Sequence, residues 1–164
     1  MDIKPNSSKL YGIMVLYEMH TDFLYRALDG IEQKDAMQRL DTKANHISWI
    51  TGSMISGRYF LAKSFGIDLV SSTGDLFKDN RGIIDDATYP ELKAFKEDWQ
   101  KISPVLKDAL LKASDEKLDE QFKMPGMEMT LFDMISFTTY REANCIGQIA
   151  LWRRLLGYQG MNYM

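Results

Sequence analysis

The chain has 164 residues, of which 45% are hydrophobic and 26% are charged, and its formal net charge at pH 7 is −3. That length can bury one sizeable core and is short for two, so we expect residues 1–164 to form a single domain. Basic residues are scattered among acidic ones, which disfavours partners such as nucleic acid or an anionic membrane. The single cysteine allows no internal disulfide, and no signal peptide or membrane span is visible, so we expect a cytoplasmic protein.

Apolar residues recur at helical intervals along the first third of the chain. The first predicted helix, about two dozen residues long, follows the possible N-cap oxygens of residues 6–8 and continues until Asp29-Gly30. The second covers about residues 44–65 and ends at Gly66. Residues 67–89 are polar and lack sustained periodicity, which predicts a long crossover that holds at most a short turn of helix.

Two more helices are predicted in the second half. The third begins at Pro90, and Pro104 is expected to kink or break it because proline lacks an amide donor. Residues 124–126 predict a turn, after which Thr130 caps a last helix with the Asp133 carboxylate three residues on. Since no strand alternation is visible, the prediction is an all-α fold: a four-helix bundle with a long crossover between the second and third helices.

The last helix carries the chemistry of interest. Its predicted inward stripe advances in steps of three and four residues, and four of its members are polar or reactive. The stripe consists of Leu131, Met134, Thr138, Arg141, Cys145, Gln148, Trp152 and Leu155.

Two segments resemble the signature regions of the DinB-like family of four-helix proteins. The second helix of that family usually carries Trp-x-x-Gly-His, and this chain has Trp49-Ile50-Thr51-Gly52-Ser53. The fourth helix carries His-x-x-x-His, then x-Gly-Gln and Arg-Arg-x-x-Gly. Here Arg141 and Cys145 stand at the histidine positions, followed by Ile146-Gly147-Gln148 and Arg153-Arg154-Leu155-Leu156-Gly157. The two segments and the length between them span most of the chain.

The resemblance implies a metal site that this sequence has altered. In the family, three histidines hold a divalent metal, commonly nickel or zinc, and members with known activity include thiol-dependent S-transferases and an isomerase. Ser53, Arg141 and Cys145 occupy those three positions here, and the chain has two histidines in all, His20 and His46. A permanently charged arginine repels a divalent cation. We therefore expect no bound metal, no cofactor and no family-type catalysis.

The remaining polar residues predict a residual pocket. An inward Arg141 needs a carboxylate, a bound anion or water, and Glu18 and Asp22 of the first helix are the candidate carboxylates. The alternative is a small anionic ligand. The pocket would then be lined by Ser53, Arg141, Cys145, Gln148 and His46.

Cys145, His46 and Gln148 each also have a purely structural interpretation. Arg141 would lower the pKa of the Cys145 thiol one turn away, although a buried cysteine more often only packs. His46 would cap or pack at the start of the second helix. Gly147 would allow close helix packing beside a satisfied Gln148 amide.

These expectations combine into one leading hypothesis about function and two rivals. The leading one is a DinB-like protein without the family's metal chemistry that binds a small anion; the resemblance also implies a homodimer. The main rival is a thiol S-transferase-like enzyme that uses Cys145 as its nucleophile or a metal held by His20, His46 and Cys145. A third hypothesis is an interaction module, which would show a contiguous apolar surface patch.

Overall fold

The computed structural model describes residues 4–124 and 127–164, and most of them are helical, which confirms the helical prediction at this level. No helix in the described ranges is long and apolar enough to cross a membrane. The elements in chain order are a 3-10 turn at Ser8–Leu10, α1 at Tyr11–Leu28, α2 at Gln33–Ala36, α3 at Ile47–Lys63, a 3-10 turn at Lys78–Asn80, α4 at Leu92–Lys112, α5 at Asp115–Leu118, β1 at Gln121–Met124, β2 at Met127–Thr130 and α6 at Leu131–Leu155.

Several helix ends lie where the sequence predicts them. Gly30 and Gly66 have φ angles of 68° and 74°, and each follows the end of a long helix. Thr130 and Asp133 form a complete capping box at the start of α6, in which each side chain accepts from the other residue's backbone amide. Local chemistry is therefore enough to place these helix boundaries.

Pro104 does not break its helix. The chain is one continuous α-helix from Leu92 to Lys112, so of the two predicted alternatives, a kink or a break, the break is wrong. The missing amide costs one hydrogen bond, but Trp99, Ile102 and Leu106 on the same helix are completely buried. Their packing against α1 and α3 stabilises the helix through the proline.

A β-hairpin precedes α6 and was not predicted. β1 and β2 pair antiparallel, with Gln121 opposite Thr130 and Phe122 opposite Met129. Strands of four residues are too short to produce a recognisable alternation in the sequence. The central part of the predicted turn, Pro125-Gly126, lies outside the described residues.

The long helices pack in a closed ring of contacts. α1 contacts α4 and α6, and α3 contacts the same two helices. The ring of Phe95 lies over Gly52, and the Tyr59 hydroxyl donates to Asp98, so α3 and α4 run in the same direction. Residues 64–91 must therefore lead the chain back along the length of α3, and apart from the 3-10 turn at Lys78–Asn80 this connection contains no helix.

A buried ion pair connects the four long helices. Arg58 on α3 has no solvent exposure, and Glu142 on α6 is 3% exposed. The Arg58 Nε and Nη2 groups donate to the two carboxylate oxygens of Glu142 at 2.7 and 2.9 Å. Its Nη1 donates to Thr21 Oγ1 on α1 at 2.9 Å and to Ser103 Oγ on α4 at 2.7 Å. One guanidinium thus contacts a polar group on each of the other three helices.

Aromatic rings and a histidine complete the surroundings of this pair. The Arg58 guanidinium lies 3.8 Å from the ring centroid of Tyr17 and 3.6 Å from that of Trp99. Burial alone would raise the pKa of Glu142, but the Arg58 charge and hydrogen bonds from Arg58 and His20 lower it overall. Glu142 is therefore ionised at neutral pH. The ion pair holds the helices in position, and it is buried where a ligand cannot reach it.

We expect Glu142→Gln to lower the free energy of unfolding by about 3–5 kcal/mol, because it leaves a buried guanidinium without a counter-charge. Asp22→Asn is the matched control, since Asp22 forms an exposed ion pair with Arg26, and it should cost less than about 1 kcal/mol. Urea unfolding followed by circular dichroism measures both variants. Similar losses in the two would contradict this role for Glu142.

Candidate functional site

Three of the predicted site residues lie together where α3 and α6 face each other. Arg141 Nη2 donates to the Ser53 Oγ atom across the helix pair. Cys145 lies one turn after Arg141 on α6, close enough for the arginine charge to act on its thiol. Ser53 and Cys145 are buried, while Arg141 is half-buried. We refer to Ser53, Arg141 and Cys145 as the Arg141 site.

Neither predicted carboxylate is the partner of Arg141. Glu18 pairs with Lys107 of α4, and Asp22 pairs with an arginine one turn further along α1. The prediction of a structural ion pair with either is therefore wrong. Glu142, rather than Arg141, occupies the α6 position that faces α1. Within the described ranges, no carboxylate forms an ion pair with Arg141.

The buried side of α6 is rotated from the predicted stripe. Gln148 and Leu155 are exposed, so these two members were placed wrongly, whereas Thr138 and Arg141 are half-buried. Apolar residues occur on more than one side of α6, so periodicity alone cannot select the inward side. The buried residues of this helix are Leu131, Met134, Ile135, Thr139, Glu142, Cys145, Ile146, Ile149, Ala150, Trp152 and Arg153.

Gly57 of α3 allows the Arg141 guanidinium to approach the helix backbone. A Cβ atom at this position would lie 3.3 Å from Arg141 Nη1, which is tighter than most contacts that a Cβ makes. The described hydrogen bonds of Arg141 use one of its five N–H donors, the one to Ser53. The absence of a side chain at Gly57 thus lets the Arg141 guanidinium lie against the backbone of α3, and its other N–H donors take no part in the described hydrogen bonds. Sequence analysis did not identify Gly57 as part of the site.

Cys145 behaves as a packed thiol. Burial raises its pKa, and the positive charge of Arg141 only partly offsets this while Glu142 adds to it. The predicted lowering of the thiol pKa is therefore wrong in its net direction. A neutral, 7% exposed thiol is a poor nucleophile and contributes mainly apolar contact.

Gln148 and Gly147 do not belong to the site. Gln148 is exposed, and its amide donates to Asn144 Oδ1 at 2.6 Å on its own helix. Apart from the neighbouring backbone of α6, no atom of the described residues lies within 4 Å of a Cβ built on Gly147, so the predicted close packing there is wrong. The tightly packed glycine is instead Gly52, against which the ring of Phe77 lies.

His46 caps α3, as one of its two interpretations predicted. Its Nδ1 atom accepts from the Trp49 amide at 3.0 Å, and its ring meets the edge of Tyr89 at a centroid distance of 4.9 Å. Burial lowers the pKa of His46, and the nearby Arg39 charge lowers it further. The ring is therefore engaged at the start of α3 and is not part of the Arg141 site.

The alternative metal set does not assemble. His20 is buried between α1 and α6, with Nδ1 3.3 Å from Glu142 Oε2. Among the described residues, no group of three histidine, cysteine, aspartate or glutamate side chains could hold a metal ion. His20, His46 and Cys145 thus do not form the metal site that the sequence left open.

One further donor lies close to the site along α3. Trp49 precedes Ser53 by one turn and therefore lies on the same side of the helix. Its indole Nε1 is buried and has no hydrogen-bond partner in the described structure. A buried N–H without an acceptor is unfavourable by about 1–3 kcal/mol, so an added acceptor here would be stabilising.

The His46 cap predicts a loss of stability in mild acid. Its folded-state pKa is below the ordinary 6.5, so the unfolded chain binds more protons once the pH falls below about that value. The free energy of unfolding should therefore decrease below about pH 6.5 and level off beneath the folded-state pKa. His46→Asn, which can cap without titrating, should remove this component. Urea unfolding at about pH 7.5 and about pH 5.5 tests it, and an identical pH dependence in both proteins would contradict it.

Comparison of the chain with known protein families, curated proteins and solved structures finds no match. The resemblance to the DinB-like family accordingly stays a prediction that depends on the two sequence segments quoted above. Function is therefore inferred from the geometry of the Arg141 site itself.

Proposed function

We propose that this chain is a non-catalytic protein of the DinB-like type, a four-helix bundle with a crossover between α3 and α4, which binds a small oxyanion at the Arg141 site. The observation that carries this proposal is the half-buried Arg141 guanidinium, which has no carboxylate ion pair within the described residues. A partly desolvated positive charge is unfavourable unless something compensates it. A carboxylate or phosphate group of a ligand would do so through charge-assisted hydrogen bonds.

The surroundings of Arg141 also favour an anion over a cation or a neutral ligand. Ser53 supplies a hydroxyl in contact with the guanidinium, and the Cys145 thiol is neutral. The nearest carboxylate in sequence is Glu142, whose charge is compensated by Arg58. Among the residues that the structure describes, the site therefore presents a positive charge without an ion-pair partner, together with several N–H donors.

The positions of the ionisable residues argue against the transferase alternative. A thiol transfer needs an activated nucleophile or a metal, and the pKa of Cys145 is raised instead of lowered. His20 faces Glu142 and His46 caps a helix, so neither is placed as a base for the thiol. Binding without catalysis is the function that these contacts support best.

The packing of the helices supports the bundle part of the proposal. α1, α3, α4 and α6 contact one another in a ring around the buried Arg58. α3 and α4 run in the same direction, which is the arrangement that requires a crossover connection between them. The substituted positions Ser53, Arg141 and Cys145 adjoin one another between α3 and α6.

Titration with inorganic phosphate, sulfate, acetate and succinate, followed by calorimetry and thermal unfolding, tests the site directly. We expect at least one of these anions to bind, and Arg141→Gln to weaken its affinity about tenfold or more through loss of the charge. Arg154→Gln is the matched control, because it removes the same charge from an exposed position on α6. No binding at about 10 mM anion, or equal affinity in the two variants, would refute the proposal.

Gly57→Ala offers an independent test that separates binding from stability. The added methyl group would displace the Arg141 guanidinium by a few tenths of an ångström, so anion affinity should fall several-fold. Alanine is the better helix former by about 1 kcal/mol, so the free energy of unfolding should not decrease. Calorimetric titration and urea unfolding of the same sample measure both quantities. Unchanged affinity in Gly57→Ala would show that the guanidinium position does not matter.

A further inference from the structure

α3 and α6 pack side by side and run in opposite directions. Arg58 of α3 meets Glu142 of α6. Just before α3 begins, the Asn45 carbonyl accepts from Trp152 Nε1, near the end of α6, at 3.0 Å. The contacts between the two helices therefore move toward the start of α6 as they move toward the end of α3.

Two exposed phenylalanines lie beside the Arg141 guanidinium, both in the same direction from it. Phe60 follows Gly57 by three residues on α3, and Phe137 precedes Arg141 by four residues on α6. Each phenylalanine thus lies on the same side of its helix as the site residue. At about 1.5 Å per residue, the distances along the helix axes are about 4.5 and 6 Å. Because the helices are antiparallel, both rings lie toward the end of α3.

The β-hairpin adds a third ring next to these two. Phe60 is 47% exposed and Phe137 is 54% exposed. The Phe60 ring meets the Phe122 ring of β1 edge to face, with a centroid distance of 5.7 Å. Phe122 is half-buried and packs against the core, and β1 also contacts α6. We name Phe60, Phe122 and Phe137 the aromatic patch. Exposed aromatic side chains grouped beside a polar group are typical of a ligand-binding surface.

The Arg141 site and the aromatic patch match two different parts of one ligand. A single guanidinium matches a carboxylate in charge and in its two-oxygen geometry. The patch matches an aromatic ring, which gains from ring contacts and from leaving water. A separation of about 4.5–6 Å between the two surfaces is one that a short linker of two carbon atoms can span. An inorganic anion would use only the Arg141 site and would leave the aromatic patch in water.

We propose that the ligand of the Arg141 site is an aromatic carboxylic acid, whose carboxylate binds Arg141 and whose ring packs on the aromatic patch. This inference rests on the proposed anion-binding function and adds the chemical class of the ligand. It also gives the β-hairpin a part in binding, because β1 supplies the Phe122 ring.

Propionate and 3-phenylpropionate are matched probes, since they share a carboxylate and differ by one phenyl group. NMR titration of the unaltered chain should give 3-phenylpropionate an affinity about tenfold or more above that of propionate. The double variant Phe60→Ala, Phe137→Ala should reduce this ratio to about twofold or less, because the phenyl group loses its apolar contacts. Both residues are exposed, so the variant should remain folded, which circular dichroism checks. Arg141→Gln should weaken both acids about tenfold or more.

Tyr11→Ala is the matched control for the aromatic patch. It removes a ring that is 59% exposed from α1, outside the α3 and α6 pair, and it should preserve the affinity ratio. A ratio that falls equally in this control and in the double variant would overturn the inference.

The same titrations separate failure of this inference from failure of the proposed function. Equal affinities for the two acids, both lost in Arg141→Gln, would overturn the inference and leave anion binding standing. Binding of neither acid would overturn both proposals. A preference for 3-phenylpropionate that survives Arg141→Gln unchanged would show that the carboxylate does not bind Arg141. Binding to phosphatidylglycerol vesicles, without a preference between the acids, would assign the two surfaces to an anionic lipid instead.

Discussion

Burying the full positive charge of Arg58 imposes a constraint on every long helix around it. Its N–H donors are taken up by Glu142, Thr21, Ser103 and the Tyr17 carbonyl. A slip of one residue in any of these helices would turn its acceptor by about 100° and leave a buried donor unpaired. The pair therefore selects one register of the four helices, which nonspecific apolar packing alone would specify less well.

The same pair explains why no carboxylate of the described residues forms an ion pair with Arg141. Glu142 is adjacent in sequence, but its carboxylate points to Arg58 in the core and its charge is used there. Arg141 lies about 100° around α6 and faces Ser53 at the edge of the α3 and α6 contact. One arginine is thus fully satisfied inside the protein, and the other retains free donors where a small ligand could meet them.

Sequence reasoning succeeded where the determining interactions are local. The capping box of Thr130, the His46 cap and the stop at Gly66 each depend on residues within a few positions along the chain. Sequence reasoning failed where the structure depends on contacts between residues that are far apart in the chain. The partner of Arg58 is 84 residues away, and which side of α6 faces inward depends on packing that its broadly apolar sequence does not specify.

The candidate site was predicted in part for the same reason. Ser53, Arg141 and Cys145 do adjoin, because residues four apart on a helix share a side and α3 packs on α6. The sign of the Cys145 pKa shift was wrong, since burial cannot be judged from spacing alone. Gly57 gave no sequence signal, because its role depends on which side chain crosses it from the opposite helix.

The contact between Phe77 and Gly52 has a consequence for the long connection between α3 and α4. The ring fills the space that a side chain at residue 52 would occupy. This contact attaches the midpoint of the connection to α3. Two short loops then replace one long one, and each has fewer conformations to explore than the undivided segment. Opening of the whole connection must withdraw this ring from Gly52 and release Ser72 from Asp98, so its amide protons should exchange more slowly than those of an untethered loop of the same length.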